Sequence, residues 1–152
     1  RQDFIIGYRF SPEEVEDPGI TIQDTLFLVD ELSYKDIDYI HISIGHYEQS
    51  SMRDKDDTLP IITKIIERIK DRVPVIGVGK IETMNDIENA SALGYEMLAI
   101  GLAALADPLY VEHLIKGEPI HKEFSKESLL PAPLYERLHS WLRNGERGYT
   151  IK

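Results

Sequence analysis

The sequence predicts an α/β fold in which parallel strands alternate with helices, and two observations predict it. Four short apolar runs, at residues 4–10, 39–44, 74–78 and 97–100, are each followed by a segment whose apolar residues recur at helical spacing. The third and fourth runs, PVIGV and MLAI, are followed directly by Gly79 and Gly101, and a helix-like segment between Thr83 and Gly94 separates them. A strand, helix, strand unit with unbroken apolar strands reads as a parallel pair buried on both faces.

Residues 4–10 (FIIGYRF) make the first strand, apolar with Gly7 inside it and Arg9 near its end. Ser11-Pro12-Glu13-Glu14 turns the chain away from the sheet, and residues 15–19 are an acidic connection. Thr21 and Asp24 have capping-box spacing, with Asp for the usual Glu, and Ile22, Leu26, Val29 and Leu32 follow on one helical side. The second strand is residues 39–44 (YIHISI). Residues 45–58 read as a polar, mobile loop; its Asp54, Asp56 and Asp57 suit a solvated acidic loop better than a metal site.

Pro60 suits a first helical turn. Behind it Ile61, Ile62, Ile65, Ile66 and Ile69 form a broad apolar stripe, with Lys64, Glu67, Arg68 and Lys70 toward water. Thr83 and Asp86 open the next helix, whose buried side is Ile87, Ala90, Ala92 and Leu93. Ala103-Ala104-Leu105 suits a helical turn, and residues 109–116 a short helix stopped by Gly117. In the tail, Leu130, Leu134, Leu138 and Trp141 share one side of a helix over residues 129–141, and residues 144–152 read as loosely held.

Composition narrows the function. The chain has 152 residues, enough for one domain with a real core, and 42% of them are hydrophobic. A formal net charge of −10, with no clustered Lys and Arg, argues against nucleic acid as a partner. No run is long enough to span a membrane and no signal peptide is visible, so a cytoplasmic location is the default expectation. With no cysteine there are no disulfides, thiol catalysis or Cys-ligated metals.

Four βα units in a row leave two architectures: a small open sheet, or the C-terminal half of a (β/α)8 barrel, which is about 250 residues when complete. The chain opens Arg1-Gln2-Asp3 without methionine and enters a strand at once, and it reads as a piece of a longer polypeptide. That start and the paired glycine-ended strands favour the half barrel, about strands five to eight. Residues 1–120 would be its four βα units and residues 121–152 a helical tail. In such barrels the loops after the last two strands, with a short extra helix, bind phosphate; Gly79, Gly101 and the turn at Ala103 have the parts for that.

The runs FIIGYRFSPEE, YIHISIG and VPVIGVGKIETMNDIENASALGYEMLAIGLAALADP resemble, in order and spacing, the C-terminal half of the Old Yellow Enzyme family. Within that family they are similar to the bacterial NADH-dependent flavin oxidoreductases. The resemblance covers most of residues 4–117. It implies an FMN-binding (β/α)8 barrel in which NADH or NADPH passes hydride to flavin, which then reduces a small activated alkene.

By the same resemblance Arg9 lies beside the flavin N1/O2 edge, where a fixed cation stabilises reduced flavin. The backbones of Val78, Gly79 and Lys80, and of Gly101 and Leu102, would cradle the FMN phosphate. Lys80 stands where many members have glycine, and Leu102 where many have an arginine that binds phosphate in two places. No catalytic residue is assigned in this stretch; the groups that hold the substrate belong to strands one to four.

The competing readings are a stand-alone phosphate-binding or interaction module, and another FMN- or phosphate-binding barrel enzyme. A half barrel would be inactive alone, would have the other half of its barrel as partner, and would leave two open edges and an exposed apolar face through which it would self-associate.

Overall fold

The computed structural model describes residues 4–124, 131–142 and 148–151. The chain forms two compact units, residues 1–100 and 101–152.

The first unit contains β1 (Gly7–Phe10), α1 (Ile22–Ser33), β2 (Tyr39–Ile42), α2 (Ile61–Ile69), a 3-10 turn at Lys70–Arg72, β3 (Val75–Val78), α3 (Met84–Ala92) and β4 (Met97–Ala99). Its four strands pair in the order β1-β2-β3-β4, all parallel. The α/β reading therefore holds. Local chemistry sets two of the helix starts. Thr21 and Thr83 cap α1 and α3 with complete capping boxes. Aspartate serves in place of glutamate: Asp24 accepts the Thr21 amide at 2.9 Å and Asp86 the Thr83 amide at 2.8 Å.

Packing then selects the faces. Ile61, Ile62, Ile65 and Ile69 of α2 are fully buried, together with Val29 of α1 and Ile40, Ile42 and Val75 of the sheet. Each such side chain contributes about 2–3 kcal/mol of burial free energy. Ile66 packs partly against the same cluster.

Side chains alternate across a strand, so the residues of opposite parity lie on the other face. There the register aligns Arg9, His41, Ile76 and Met97 in one row across the four strands. This face is not covered: Arg9 and Met97 are exposed, and Tyr39, His41, Ile76 and Val78 are half-buried. The expectation of strands buried on both faces is thus corrected, because within this unit the helices cover one face only. Three smaller corrections belong here. The first strand starts at Gly7, leaving Phe4 and Ile5 80% and 81% exposed. Strand pairing ends at Ile42 and Ala99. Ala92 is exposed rather than buried.

The second unit contains α4 (Leu102–Ala106), α5 (Tyr110–Lys116), β5 (Glu123–Phe124), α6 (Ala132–Trp141) and β6 (Thr150–Ile151). The turn at Ala103 is helical as read, and α5 ends at Gly117 with φ 70°, the left-handed cap that glycine favours. Strands β5 and β6 pair in parallel, and Tyr149 is buried, so residues 148–151 are not loosely held. On α6, Leu138 is buried and Leu134 half-buried; Leu130 and the side chain of Trp141 lie outside the described residues, as do residues 144–147. Among the described residues, no helix is long and apolar enough to cross a membrane.

Candidate functional site

The loops after β1, β2 and β3 lie at the carboxyl ends of parallel strands, where α/β sheets place their ligands. Arg9 stands one residue from the end of β1. Its Nη2 donates to Ser43 Oγ at 2.8 Å, just beyond β2, and among the described residues it forms no ion pair. The two nearby carboxylates are committed elsewhere. Glu13, 4% exposed, accepts from Ser51 Oγ at 2.8 Å and from the amides of Met52 and Arg53. Glu14 accepts the Ile20 amide at 3.0 Å. Arg9 is thus a cation held by a neutral hydroxyl rather than a surface ion-pair partner.

Beside it, in register on β2, lies His41. Its Nε2 is shielded from solvent and has no hydrogen-bond partner among the described residues. Burial, and then the neighbouring Arg9 charge, lower its proton affinity and favour the neutral ring. Sequence reasoning assigned no role to His41, Ser43 or His46; a histidine in an apolar strand does not reveal which of its nitrogens is satisfied.

Val78 closes β3 half-buried, and Gly79 follows with φ 115°. A Cβ on Gly79 would fall 2.7 Å from the His46 nitrogen and 2.8 Å from the Gly45 carbonyl carbon. Gly79 is therefore required by the loop after β2, which rests on it, and its carbonyl accepts the Tyr47 amide at 3.1 Å. That loop is fixed further. The Tyr95 hydroxyl donates to the Tyr47 carbonyl at 3.0 Å, and the His46 and Tyr47 rings stack at 4.9 Å. Burial pushes the Tyr95 hydroxyl well above the usual phenol range.

Lys80 is exposed at φ 51°, a left-handed conformation that glycine adopts without strain. Lys80→Gly is expected to stabilise the protein by about 0.5–1 kcal/mol. Urea unfolding at unchanged m-value measures it; a lowered midpoint would mean that the lysine side chain compensates for its backbone.

Gly101 and Leu102 head α4 in the second unit, Gly101 as its N-cap and Leu102 half-buried in its first turn. The structure thus brings Arg9 together with Ser43 and His41, and Val78, Gly79 and Lys80 together with the 45–47 loop.

Two polar networks escaped sequence reasoning. One is the Glu13–Arg53 clasp. Arg53 Nε donates to the Glu14 carbonyl at 2.6 Å and its Nη2 to the Glu16 carbonyl, so the 45–58 loop is tied to the 11–19 loop. The acidic residues of that loop serve their own backbone: Asp54 accepts the Asp56 amide at 3.0 Å, and Asp57 accepts from Leu59 and pairs with Lys64. Among the described residues no group of three His, Asp or Glu is placed to hold a metal.

The other network surrounds Asp107, which is 1% exposed. It accepts the Leu109 amide at 3.0 Å and the His121 amide at 2.9 Å, and its Oδ2 lies 2.6 Å from His113 Nδ1. Burial works against the Asp107 charge, but these bonds outweigh it and hold the carboxyl below its usual range. The sequence signal available was the aspartate two residues before Leu109, the spacing of a local backbone turn.

The parallel sheet thus has a cation lacking an ion pair among the described residues, and a glycine-closed loop beside it, at the carboxyl ends of its strands, where α/β proteins place their ligands. Residues 1–121 match the family model described as the NADH:flavin oxidoreductase / NADH oxidase family, and the chain belongs to that family, the Old Yellow Enzyme family of the sequence resemblance. It is 41% identical over 144 residues to "NADH:acrylate oxidoreductase" of Vibrio harveyi, covering 90% of this chain and 14% of that protein. Over 139 residues it is 37% identical to "NADH:fumarate oxidoreductase" of Klebsiella pneumoniae (strain 342), covering 87% and 15%. With "Probable NADH-dependent flavin oxidoreductase YqiG" of Bacillus subtilis (strain 168) the identity is 36% over 141 residues, covering 89% and 38%. The chain therefore spans well under half the length of these curated relatives.

Proposed function

We propose that this chain is part of an FMN-dependent oxidoreductase that oxidises NADH, and that its first unit supplies four consecutive strands, the fifth to eighth, of a (β/α)8 barrel. The observation that carries the reading is Arg9: a cation with no carboxylate among the described residues, at the carboxyl end of a parallel strand, on the uncovered face. In a barrel the helices lie outside and the opposite face lines the interior. The one-sided burial of this sheet fits that division, with the outer edges of β1 and β4 as the places where the rest of the barrel would pair.

The residues present fit FMN in part. Arg9 suits the electron-rich edge of the flavin ring, with a permanent charge and a planar donor fork. The backbone of Val78, Gly79 and Lys80 suits a phosphate, and Lys80 can add a point charge at an exposed position. The family resemblance also assigns the backbone of Gly101 and Leu102 to the phosphate, and leucine brings no charge to it. Phosphate binding is therefore weaker than an arginine there would give.

FMN, when bound, supplies two-electron chemistry, taking hydride from the nicotinamide and giving it to an electron-poor acceptor. The names of two relatives point to an unsaturated carboxylate such as acrylate or fumarate as the class of acceptor served by the whole protein. Arg9 would hold the ring edge and stabilise the negative charge that gathers there.

The test is an FMN titration followed by flavin fluorescence, with the complete protein and with residues 1–152. The complete protein is expected to bind FMN and be bleached by NADH, and residues 1–152 to bind weakly or not at all. A complete protein that ignores FMN would sink the proposal.

A further inference from the structure

We infer that His41 is a further cofactor-positioning residue, its Nε2 bonding the same heterocyclic edge that Arg9 faces. The inference rests on the FMN reading above and extends it to a residue with no role assigned so far. Arg9 and His41 are register partners on adjacent parallel strands, so they project from the same face at the same level. That face is the uncovered one, whereas Ile40 and Ile42, the neighbours of His41 in β2, are fully buried on the other. Buried polar atoms nearly always find a partner, and one that lacks it calls for an explanation in function or in a group outside the protein. Among the side chains of the described residues, only His41 Nε2 is such an atom.

The chemistry of the pair selects the ligand. Arg9 supplies charge through several N–H groups, and its described partner is a single hydroxyl. A neutral imidazole beside it supplies one directional hydrogen bond without adding a second charge. A fixed cation and one neutral hydrogen-bonding nitrogen, side by side, complement a flat ring edge that carries a carbonyl next to a ring nitrogen. The pyrimidine edge of a flavin has that pattern. The imidazole as a whole is half-buried, so part of the ring is open on this face, and to bond a ligand there the ring must turn its shielded Nε2 toward it.

The experiment compares wild type, His41→Leu, His41→Gln and Arg9→Gln in the complete protein. It measures FMN affinity by fluorescence quenching, thermal stability of the FMN-free form, and the ¹⁵N signal of His41 Nε2 on adding FMN. His41→Leu is expected to weaken FMN binding about tenfold, the worth of one good hydrogen bond. Its FMN-free form should melt no lower than wild type, since leucine removes an unsatisfied buried atom. His41→Gln, which restores a nitrogen donor, should recover most of the affinity, and the Nε2 signal should shift when FMN binds. If His41→Leu binds FMN as wild type does, or lowers only the stability of the FMN-free form, Nε2 bonds another part of the protein and the inference is overturned. Weakened binding in Arg9→Gln alongside would leave the FMN reading standing; a wild type that does not bind FMN would remove both.

Discussion

Arg9→Gln in the complete protein is expected to slow flavin reduction by NADH about a hundredfold, the scale of losing one preorganised electrostatic contact in an active site. The substitution keeps a planar hydrogen-bonding end and removes only the charge. Folding should be little affected, because Arg9 is exposed and bonds one hydroxyl. Arg9→Lys keeps the charge but loses the fork, so it should lie between the two. Stopped-flow reduction by NADH, with the midpoint potential of the bound flavin measured alongside, checks the claim. The expected signature is a slower reduction together with a lower potential. A potential equal to wild type would place Arg9 away from the ring edge.

The second large effect is one of stability. Glu13→Ala is expected to destabilise the protein by about 3 kcal/mol, because it strips a buried acceptor from three donors at once. Ser51 and the amides of Met52 and Arg53 would be left facing a small apolar side chain. Glu13→Gln should cost less, keeping one acceptor oxygen but turning an NH2 group toward other donors. Denaturant unfolding gives the numbers; a loss under about 0.5 kcal/mol for the alanine variant would show that the two loops hold without the clasp. Since these loops follow β1 and β2, their loosening should also raise the KM for substrate in the complete protein.

What the sequence disclosed and what it hid follow a physical divide. The capping boxes at Thr21 and Thr83 were legible because every participant lies within three residues. The α2 stripe was legible because its period is local too, and so was the left-handed stop at Gly117. Strand ends were overextended: Phe4 and Ile5 are apolar enough for a strand, yet pairing stops at Gly7, and pairing belongs to the neighbouring strand. One-sided burial of β3 and β4 follows from the half-barrel reading but not from the runs themselves, since an apolar run does not state how many layers will cover it.

The candidate site divides in the same way. Arg9 and Gly79 stood out from the motif, but the reason for Gly79 proved to be the backbone of Gly45 and His46, over thirty residues away. The Glu13–Arg53 clasp joins residues 40 apart and had no local signal. His41 was visible only as a histidine in a strand; that its Nε2 has no partner among the described residues is a property of three dimensions.

The strand order β1-β2-β3-β4 repeats the order of synthesis. Every strand can therefore dock on the one made just before it, with no need to wait for a later segment or to be displaced by one. Assembly by such nearest-neighbour additions keeps each loop to be closed short and lets order spread from one end. A chain emerging from the ribosome would extend the sheet at one edge only, the outer edge of β1 staying as it was first laid down.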